Sequence, residues 1–224
     1  MNVEEQIKII RSKRRTISIQ IHDDATLVVR APRQVPDELI FDFIKKKSDW
    51  IKKNREIVRQ KWSLKPKPDF KEGEKFYFLG EIYRLKIVDE LSPPLQFDEG
   101  FKLSRRHQHY AKELFIRWYR EQAFQIIYMR VSHLSKNAGL SCSNIKIRNN
   151  KHTWGSCSGK NNLNFNWKLI MAPPGVVDYV IIHELAHLIE RNHSKGFWNK
   201  VEEMFPNHVY PKRWLKDNSH LLSI

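Results

Sequence analysis

The stretch HELAHLIERNH occupies residues 183–193 and is the part of this chain that points most directly to its fold and chemistry. On an α-helix each residue turns the chain by about 100°, so His183 and His187 lie about 40° apart on one face. Their imidazoles can therefore bind one metal ion together. Glu184 lies beside them, where a carboxylate can act on a water molecule that the metal activates. The spacing thus indicates a zinc hydrolase.

The third histidine, His193, can reach the same metal only if the helix ends before it. In a continuous helix its side chain would point about 120° away from that of His187. Asn192 tolerates the left-handed backbone that ends helices, and Ser194 is a preferred residue at the start of the next one. The sequence therefore predicts a helix, a break and a second helix. It predicts one Zn²⁺ per chain, bound by His183, His187 and His193.

Composition limits the class of protein. The chain has 224 residues, 41% hydrophobic and 12% aromatic, which suffices for one large or two small domains. No apolar run is long enough to span a membrane, and the initial residues MNVEEQ lack the features of a signal peptide. Because only two cysteines occur, Cys142 and Cys157, we expect a cytoplasmic protein in which both are small buried hydrophobes.

The N-terminal part changes from a strand pattern to a helix pattern. Isoleucines at every second position near residues 7–9 and 17–21 predict strands, and residues 27–29 continue them after a turn. Apolar residues at helical spacing then predict one helix that begins near Asp37 and runs to Trp62.

A proline-containing joint follows this helix and divides the chain. The sequence KPKP at residues 65–68 is typical of a linker, since proline interrupts both helices and strands. We therefore place an N-terminal β-hairpin and helix region at residues 1–68. The second predicted domain covers residues 69–224 and contains the histidines.

The second predicted domain combines hairpins with one long helix. Leu79-Gly80-Glu81 predicts a hairpin turn, and residues 107–137 predict an amphipathic helix that Gly139 ends. A second hairpin turns at residues 158–161. Its returning arm, residues 162–169, alternates apolar and polar side chains. This arm is either an edge strand that pairs with an extended peptide beside the metal helix or a core strand with a solvated polar face.

The net charge of +15 is unevenly distributed. Residues 43–67 contain ten Lys or Arg against two acidic residues. Such a basic helix can bind the phosphates of a nucleic acid by counterion release, although a solvated helix face is the commoner case. A nucleic-acid partner through this helix is therefore an option beside a peptide or protein substrate. No membrane partner is expected.

Several stretches of the chain resemble the YgjP-like metallopeptidases, zincin-like proteins distantly related to the SprT-like zinc proteases. They are RSKRRTI at residues 11–17, WGSC at 154–157, residues 166–173 with DYV at 178–180, and the metal segment 183–198. The resemblance implies an α+β fold with a zincin-like metallopeptidase domain. Its HExxH active-site helix would pack on a small mixed sheet, preceded by a small β-rich N-terminal region. The resemblance also implies His183, His187 and His193 as metal ligands and Glu184 as the general base.

The predicted function is that of a zinc-dependent metallopeptidase that cleaves peptide bonds with metal-activated water. Glu190 stands where metzincins have the glycine of HExxHxxGxxH, which separates this chain from that group. A metal-dependent hydrolase of nucleotides or other phosphate esters is one alternative, favoured by the basic excess but lacking a Gly-rich phosphate loop. A non-enzymatic nucleic-acid-binding module with structural zinc is the other, disfavoured because three ligands leave an open position. His208, Tyr210 and Arg213 are candidates for stabilising the oxyanion.

Overall fold

The computed structural model describes residues 7–22, 24–150 and 153–224, which form six α-helices and three small sheets. The predicted mixture of helices and small mixed sheets is therefore confirmed. The chain divides into two compact units, Met1–Lys65 and Pro66–Ile224, with the boundary inside the KPKP stretch. No helix in these described ranges is long and apolar enough to cross a membrane.

The N-terminal unit is built on a three-stranded sheet with the order β1-β3-β2. Its strands are β1 (Ile7–Ser12), β2 (Ser18–Ile21) and β3 (Leu27–Pro32). The central strand, β3, pairs parallel with β1 and antiparallel with β2, and its apolar side chains are almost completely buried. The strands predicted from alternating isoleucines are therefore confirmed.

Two helices, α1 (Asp37–Lys46) and α2 (Ser48–Ser63), follow where the sequence predicted one. The single-helix prediction was wrong because the backbone leaves helical geometry at Lys47, with φ −104° and ψ 11°. The N–H of Lys47 closes α1 with a tight hydrogen bond of 3.0 Å to the carbonyl of Ile44. Asp49 lies in the first turn of α2, where a negative charge favours the helix dipole.

The basic run at residues 43–67 is consequently spread over both helices and the segment after them. The apolar residues Ile40 and Ile51 pack with the sheet of this unit. Most of the lysines are exposed, whereas Arg55 is buried. The pattern fits a solvated basic face, and a nucleic-acid partner for it stays a prediction.

The C-terminal unit begins with a four-stranded sheet of order β4-β5-β7-β6. Its strands are β4 (Lys75–Phe78), β5 (Glu81–Val88), β6 (Leu95–Phe97) and β7 (Phe101–Ser104). The predicted hairpin is confirmed, because β4 and β5 pair antiparallel around the turn at Leu79 and Gly80. A Cβ at Gly80 would lie 2.8 Å from the Cα of Pro173, and its φ is +85°. Glycine therefore lets this turn approach the chain just before the metal helix.

The long helix α3 (Ala111–Asn137) supplies much of the core of this unit. The predicted span began at residue 107, but the chain first forms a short 3-10 helix, Arg105–Tyr110, as it leaves β7. Every fourth residue along one face of α3 is completely buried: Phe115, Tyr119, Ala123, Ile127 and Val131. The helix ends before Gly139, whose φ is +63°, as predicted.

The third sheet contains β8 (Asn144–Arg148), β9 (Gly155–Cys157) and β10 (Asn162–Asn166) in the order β8-β10-β9. The predicted hairpin joins β9 and β10, which pair antiparallel. β10 is central, however, because β8 pairs parallel with its other side. The edge-strand interpretation of residues 162–169 was therefore wrong. Alternating apolar and polar side chains indicate a strand, but they do not indicate how many neighbouring strands pair with it. In this sheet β9 is an edge strand instead.

The alternating arm also ends earlier than its pattern predicted. β10 stops at Asn166, whose side chain accepts a hydrogen bond of 3.2 Å from the N–H of Lys168. This bond begins a 3-10 helix, Trp167–Met171. Trp167 is buried and donates from its Nε1 to Oδ1 of Asn149 at 3.1 Å. The apolar residues that continue the pattern after Asn166 therefore belong to this buried 3-10 helix and not to a longer strand.

Three helices complete the unit: α4 (Pro174–Ala186), α5 (Lys195–Met204) and α6 (Val209–Asn218). α4 is apolar on nearly every side because it packs against α3, α5, α6 and β9. One polar pair joins it to α3. Arg130 donates from Nε and Nη2 to the two carboxylate oxygens of Asp178, at 2.8 and 2.5 Å. Such bidentate pairs fix orientation as well as distance.

Asp178→Ala should destabilise the C-terminal unit by about 1–2 kcal/mol, since it removes a charge-assisted pair that solvent screens only in part. The side chains of Arg130 and Asp178 are 41% and 13% exposed. Urea unfolding would measure the change. Asp89→Ala is the matched control, because the Arg105–Asp89 pair is 64% and 88% exposed and its loss should cost less than about 0.5 kcal/mol. Equal effects of the two substitutions would contradict a specific role for Arg130–Asp178.

Candidate metal centre

The helix α4 carries the first histidine and ends where the second one stands. His183 lies in the last turn of α4, and His187 is the first residue after it. The N–H of Glu190 still bonds to the carbonyl of Ala186 at 2.9 Å, but the helix does not continue beyond this turn. The predicted break between His187 and His193 is therefore confirmed.

The start of α5 turns the third histidine back toward the end of α4. Ser194 caps α5 as predicted, with its Oγ accepting a hydrogen bond of 3.3 Å from the N–H of Phe197. One nitrogen from each of His183, His187 and His193 lies within 4.8 Å of the others. The Nε2 atoms of His183 and His193 are 3.0 Å apart. The three predicted histidines thus converge on one point.

A fully buried phenyl ring supports all three imidazoles. The ring centre of Phe197 lies 4.9, 4.5 and 4.7 Å from those of His183, His187 and His193, respectively. Trp198 stacks on His193 at 6.0 Å. In the sequence, Phe197 and Trp198 were noted within the segment 183–198 that resembles the family. Their position three residues or more behind Ser194, in the first turns of the new helix, was the available signal.

Two of the three imidazoles, those of His183 and His193, have lowered pKa values that favour the neutral form, which binds metals. Burial, followed by the nearby charges of His187 and His193, lowers the pKa of His183 to about 4. Burial also lowers the pKa of His193. The Nδ1 of His187 lies 2.9 Å from the carbonyl oxygen of Glu190. Donation by Nδ1 to this oxygen leaves the Nε2 lone pair for a metal.

Glu184 is buried beside the histidines, with only 5% of its surface exposed. Burial raises the pKa of its carboxyl group to about 8. A carboxylate with that proton affinity accepts a proton from water near neutral pH more readily than an exposed one does. Glu184 makes no hydrogen bond or ion pair with another residue that the structure describes. Its carboxyl group is therefore not committed to a structural partner among them.

The first residue of β9 makes room for this carboxyl group. A Cβ at Gly155 would lie 2.6 Å from both Cγ and Oε1 of Glu184, a distance too short for any side chain. The requirement is for space, since the φ of Gly155 is not positive. Sequence analysis used the WGSC stretch at residues 154–157 only as a resemblance and missed this contact. A glycine at the start of a strand was the available signal.

Arg191 joins the segment between the second and third histidines to the β9–β10 turn. Its guanidinium group donates to the carbonyl of Ser158 at 2.9 Å and to Oδ1 of Asn161, and it lies 3.4 Å from Sγ of Cys157. No signal in the sequence identified this contact in advance. Cys142 and Cys157 are both free and only half-buried, so the prediction of buried cysteines was right only in part.

A cleft of about 410 Å³ opens beside His183 and Glu184. Its walls are the segment that leads into β9, one side of α4 and one face of α6. Tyr179, one turn before His183, also lines the cleft, and burial raises the pKa of its hydroxyl group to about 12. This hydroxyl stays protonated at neutral pH and can donate a hydrogen bond.

None of the three predicted oxyanion-stabilising candidates is among the described residues that line this cleft, although the ring of His208 stacks on that of Tyr179 at 6.4 Å. Tyr210 is 72% exposed, and Arg213 pairs with Asp217 at 3.7 Å. The ring of His208 stacks on Trp198 at 5.6 Å. Tyr179, which the sequence analysis did not single out, is a better placed donor than any of them.

The family model of the YgjP-like metallopeptidase domain matches residues 15–218. The crystal structure of the metallopeptidase zymogen of Pyrococcus abyssi abylysin is 23% identical, with a TM-score of 0.38, and the match covers 43% of this chain and 99% of that one. The crystal structure of the metallopeptidase zymogen of Methanocaldococcus jannaschii jannalysin is 25% identical, with a TM-score of 0.35. That match covers 40% of this chain and 91% of the other. No curated protein matches the chain.

The family match spans most of the chain and includes every residue of the candidate site. It covers the three histidines, Glu184 and the glycine that accommodates it. The resemblance that the sequence motifs indicated is therefore confirmed, and the chain belongs to the YgjP-like family of metallopeptidases.

Proposed function

We propose that this protein is a zinc-dependent metallopeptidase with a zincin-like catalytic domain. The observation that carries the proposal is the convergence of three imidazoles beside the buried carboxyl group of Glu184. Membership of a metallopeptidase family favours peptide bonds over phosphate esters as the bonds cleaved. It also disfavours a nucleic-acid-binding module with structural zinc, for which four protein ligands are usual.

The donor set of His183, His187 and His193 fits one zinc ion per chain. Neutral imidazole nitrogens suit zinc, and three protein ligands leave one position open for chemistry. When bound, the metal supplies Lewis-acid chemistry, which polarises the scissile carbonyl and makes water acidic enough to lose a proton near neutral pH. The remaining steps belong to the residues of the chain.

Glu184 is proposed as the general base. Its buried carboxyl group takes the proton of the attacking water and later returns it to the leaving amine. The raised pKa of this group, about 8, suits both transfers at neutral pH. The hydroxyl group of Tyr179 is proposed to donate a hydrogen bond to the developing oxyanion from the wall of the cleft.

The edge strand β9 is proposed to bind the substrate backbone. β9 pairs on one side with β10, packs against α4 and brings its first residue, Gly155, to the wall of the cleft. An extended peptide can add to an edge strand through main-chain hydrogen bonds, which suits sequence-tolerant proteolysis. The sequence had suggested residues 162–169 as the strand that pairs with the substrate, and β9 is proposed for that role instead.

Metal analysis tests the ligand assignment. Protein purified without added zinc should contain close to one zinc ion per chain, and His187→Ala should lose most of it because two imidazoles bind more weakly than three. His133→Ala is the matched control, since His133 is an exposed residue of α3 whose ring contacts Asn137. Full zinc occupancy in His187→Ala would contradict the assignment.

Glu184→Gln separates metal binding from catalysis. The zinc content should be retained, while cleavage of casein by the zinc-loaded protein should fall by a factor of at least about 100 because the base is lost. Nucleoside triphosphates serve as the alternative substrate for the wild-type protein. Hydrolysis of triphosphates without cleavage of casein would contradict the peptidase proposal, and loss of zinc in Glu184→Gln would make Glu184 a ligand.

Gly155→Ala tests the placement of the base without touching a polar group. The added methyl group should displace the carboxyl of Glu184 and lower peptidase activity about 10- to 100-fold, with zinc content unchanged. Gly159→Ala, in the same hairpin, is the matched control because its Cβ would meet no atom within 4 Å. If both variants retained wild-type activity, the close contact between Gly155 and Glu184 would be irrelevant to catalysis.

A further inference from the structure

One face of α6 forms the wall of the cleft that lies opposite β9. This face carries Lys212, with Leu215 and Lys216 three and four residues after it, and Ser219 follows directly after the helix. Leu215 is buried and anchors the helix, while the two lysines are exposed. Their charged ends therefore reach into the space beside the candidate metal centre.

The charges that line this cleft are unbalanced. Among its described lining residues, Glu184 is the only carboxyl group, whereas Lys212 and Lys216 supply two ammonium groups. Lys212 therefore brings positive charge to the wall of the cleft, which favours an anionic ligand.

An aromatic ring holds Lys212 in place. Its Nζ lies 3.9 Å from the ring centre of Trp198, a cation–π contact. The same indole ring lies 5.9 Å from His183 and 6.0 Å from His193, ring centre to ring centre. One ring therefore separates the ammonium group from two of the proposed metal ligands.

Lys212 has no carboxylate partner within ion-pair distance in the part of the chain that the structure describes. The neighbouring Arg213 differs, since it pairs with Asp217 on the solvent side of the helix. A positioned ammonium group retains its ability to donate three hydrogen bonds to an anion. In a site for polypeptides, the anion that a substrate itself carries is a carboxylate.

We propose that Lys212 is a specificity-determining residue that binds a carboxylate of the peptide substrate, either an Asp or Glu side chain or the C-terminal carboxylate. This inference rests on the proposed peptidase function, since it names the substrate class of the same cleft. The cation–π contact with Trp198 positions the ammonium group, and Lys212 is one of the residues that line the cleft.

Binding to zinc-loaded Glu184→Gln protein tests the proposal without turnover. Three acetylated heptapeptides of alanine serve as probes: one with a central glutamate and an amidated C-terminus, one with a central glutamine and an amidated C-terminus, and one with a central glutamine and a free C-terminal carboxylate. Calorimetry measures their affinities. A peptide with a carboxylate should bind about tenfold more tightly than the neutral one, and added salt should reduce the difference.

Variants of α6 then assign this preference to one residue. Lys212→Gln should abolish the preference, Lys212→Arg should retain most of it, and Lys212→Glu should reverse its sign. Arg213→Gln is the matched control because it removes one positive charge from the same helix on the face away from the cleft. The glutamate peptide and the free-carboxylate peptide distinguish the two sources of the anion.

The outcomes separate this inference from the proposed function. Equal affinities for all three peptides, or a preference that survives in Lys212→Gln, would overturn the role of Lys212 even if the wild-type protein cleaves casein. A preference that depends on Lys212 would support the carboxylate site even if no peptide bond is cleaved, and the peptidase proposal alone would then fail.

Discussion

The packing of Phe197 against three imidazoles is the contact on which the rest of the site depends. His183 lies in the last turn of α4, His187 directly follows that helix and His193 lies two residues before α5, so no single element holds them. A completely buried ring packs against all three and fixes how their imidazoles face one another. Because Ser194 fixes where the helix of Phe197 begins, a hydrogen bond at a helix start governs the geometry of the histidines.

The burial of Glu184 works against stability and in favour of chemistry. Placing a carboxyl group among apolar residues disfavours its charged form, which is the cause of its raised pKa. The helix α4 tolerates this cost because its other inward-facing residues are apolar and well packed. Gly155 contributes by having no side chain, so that the carboxyl group is confined without being hydrogen-bonded. Proteins commonly accept such local destabilisation at sites that react.

The spacing of residues in the sequence correctly predicted the features that depend only on neighbouring residues of the chain. The two histidines four residues apart, the break before His193 and the cap at Ser194 all follow from helix geometry and the preferences of single residues. The position of β10 between two strands could not be predicted, because alternation is the same whether one neighbour or two are present. The contacts of Gly155 and Arg191 were also missed, since each joins residues about 30 positions apart in the chain. The division of the first helical region into α1 and α2 was not predicted, because it occurs at Lys47 and a lysine by itself does not indicate a helix end.

The contacts of Arg191 have a consequence for what can enter the cleft. This guanidinium group fastens the segment before His193 to the turn that follows β9, so the strand and the ligand-bearing segment are one mechanical unit. Widening the entrance by moving β9 outward would pull His193 away from the other two histidines. The width of the cleft and the geometry of the three histidines are thus coupled. Under the proposed function, an extended polypeptide strand is the form of substrate that enters without moving β9.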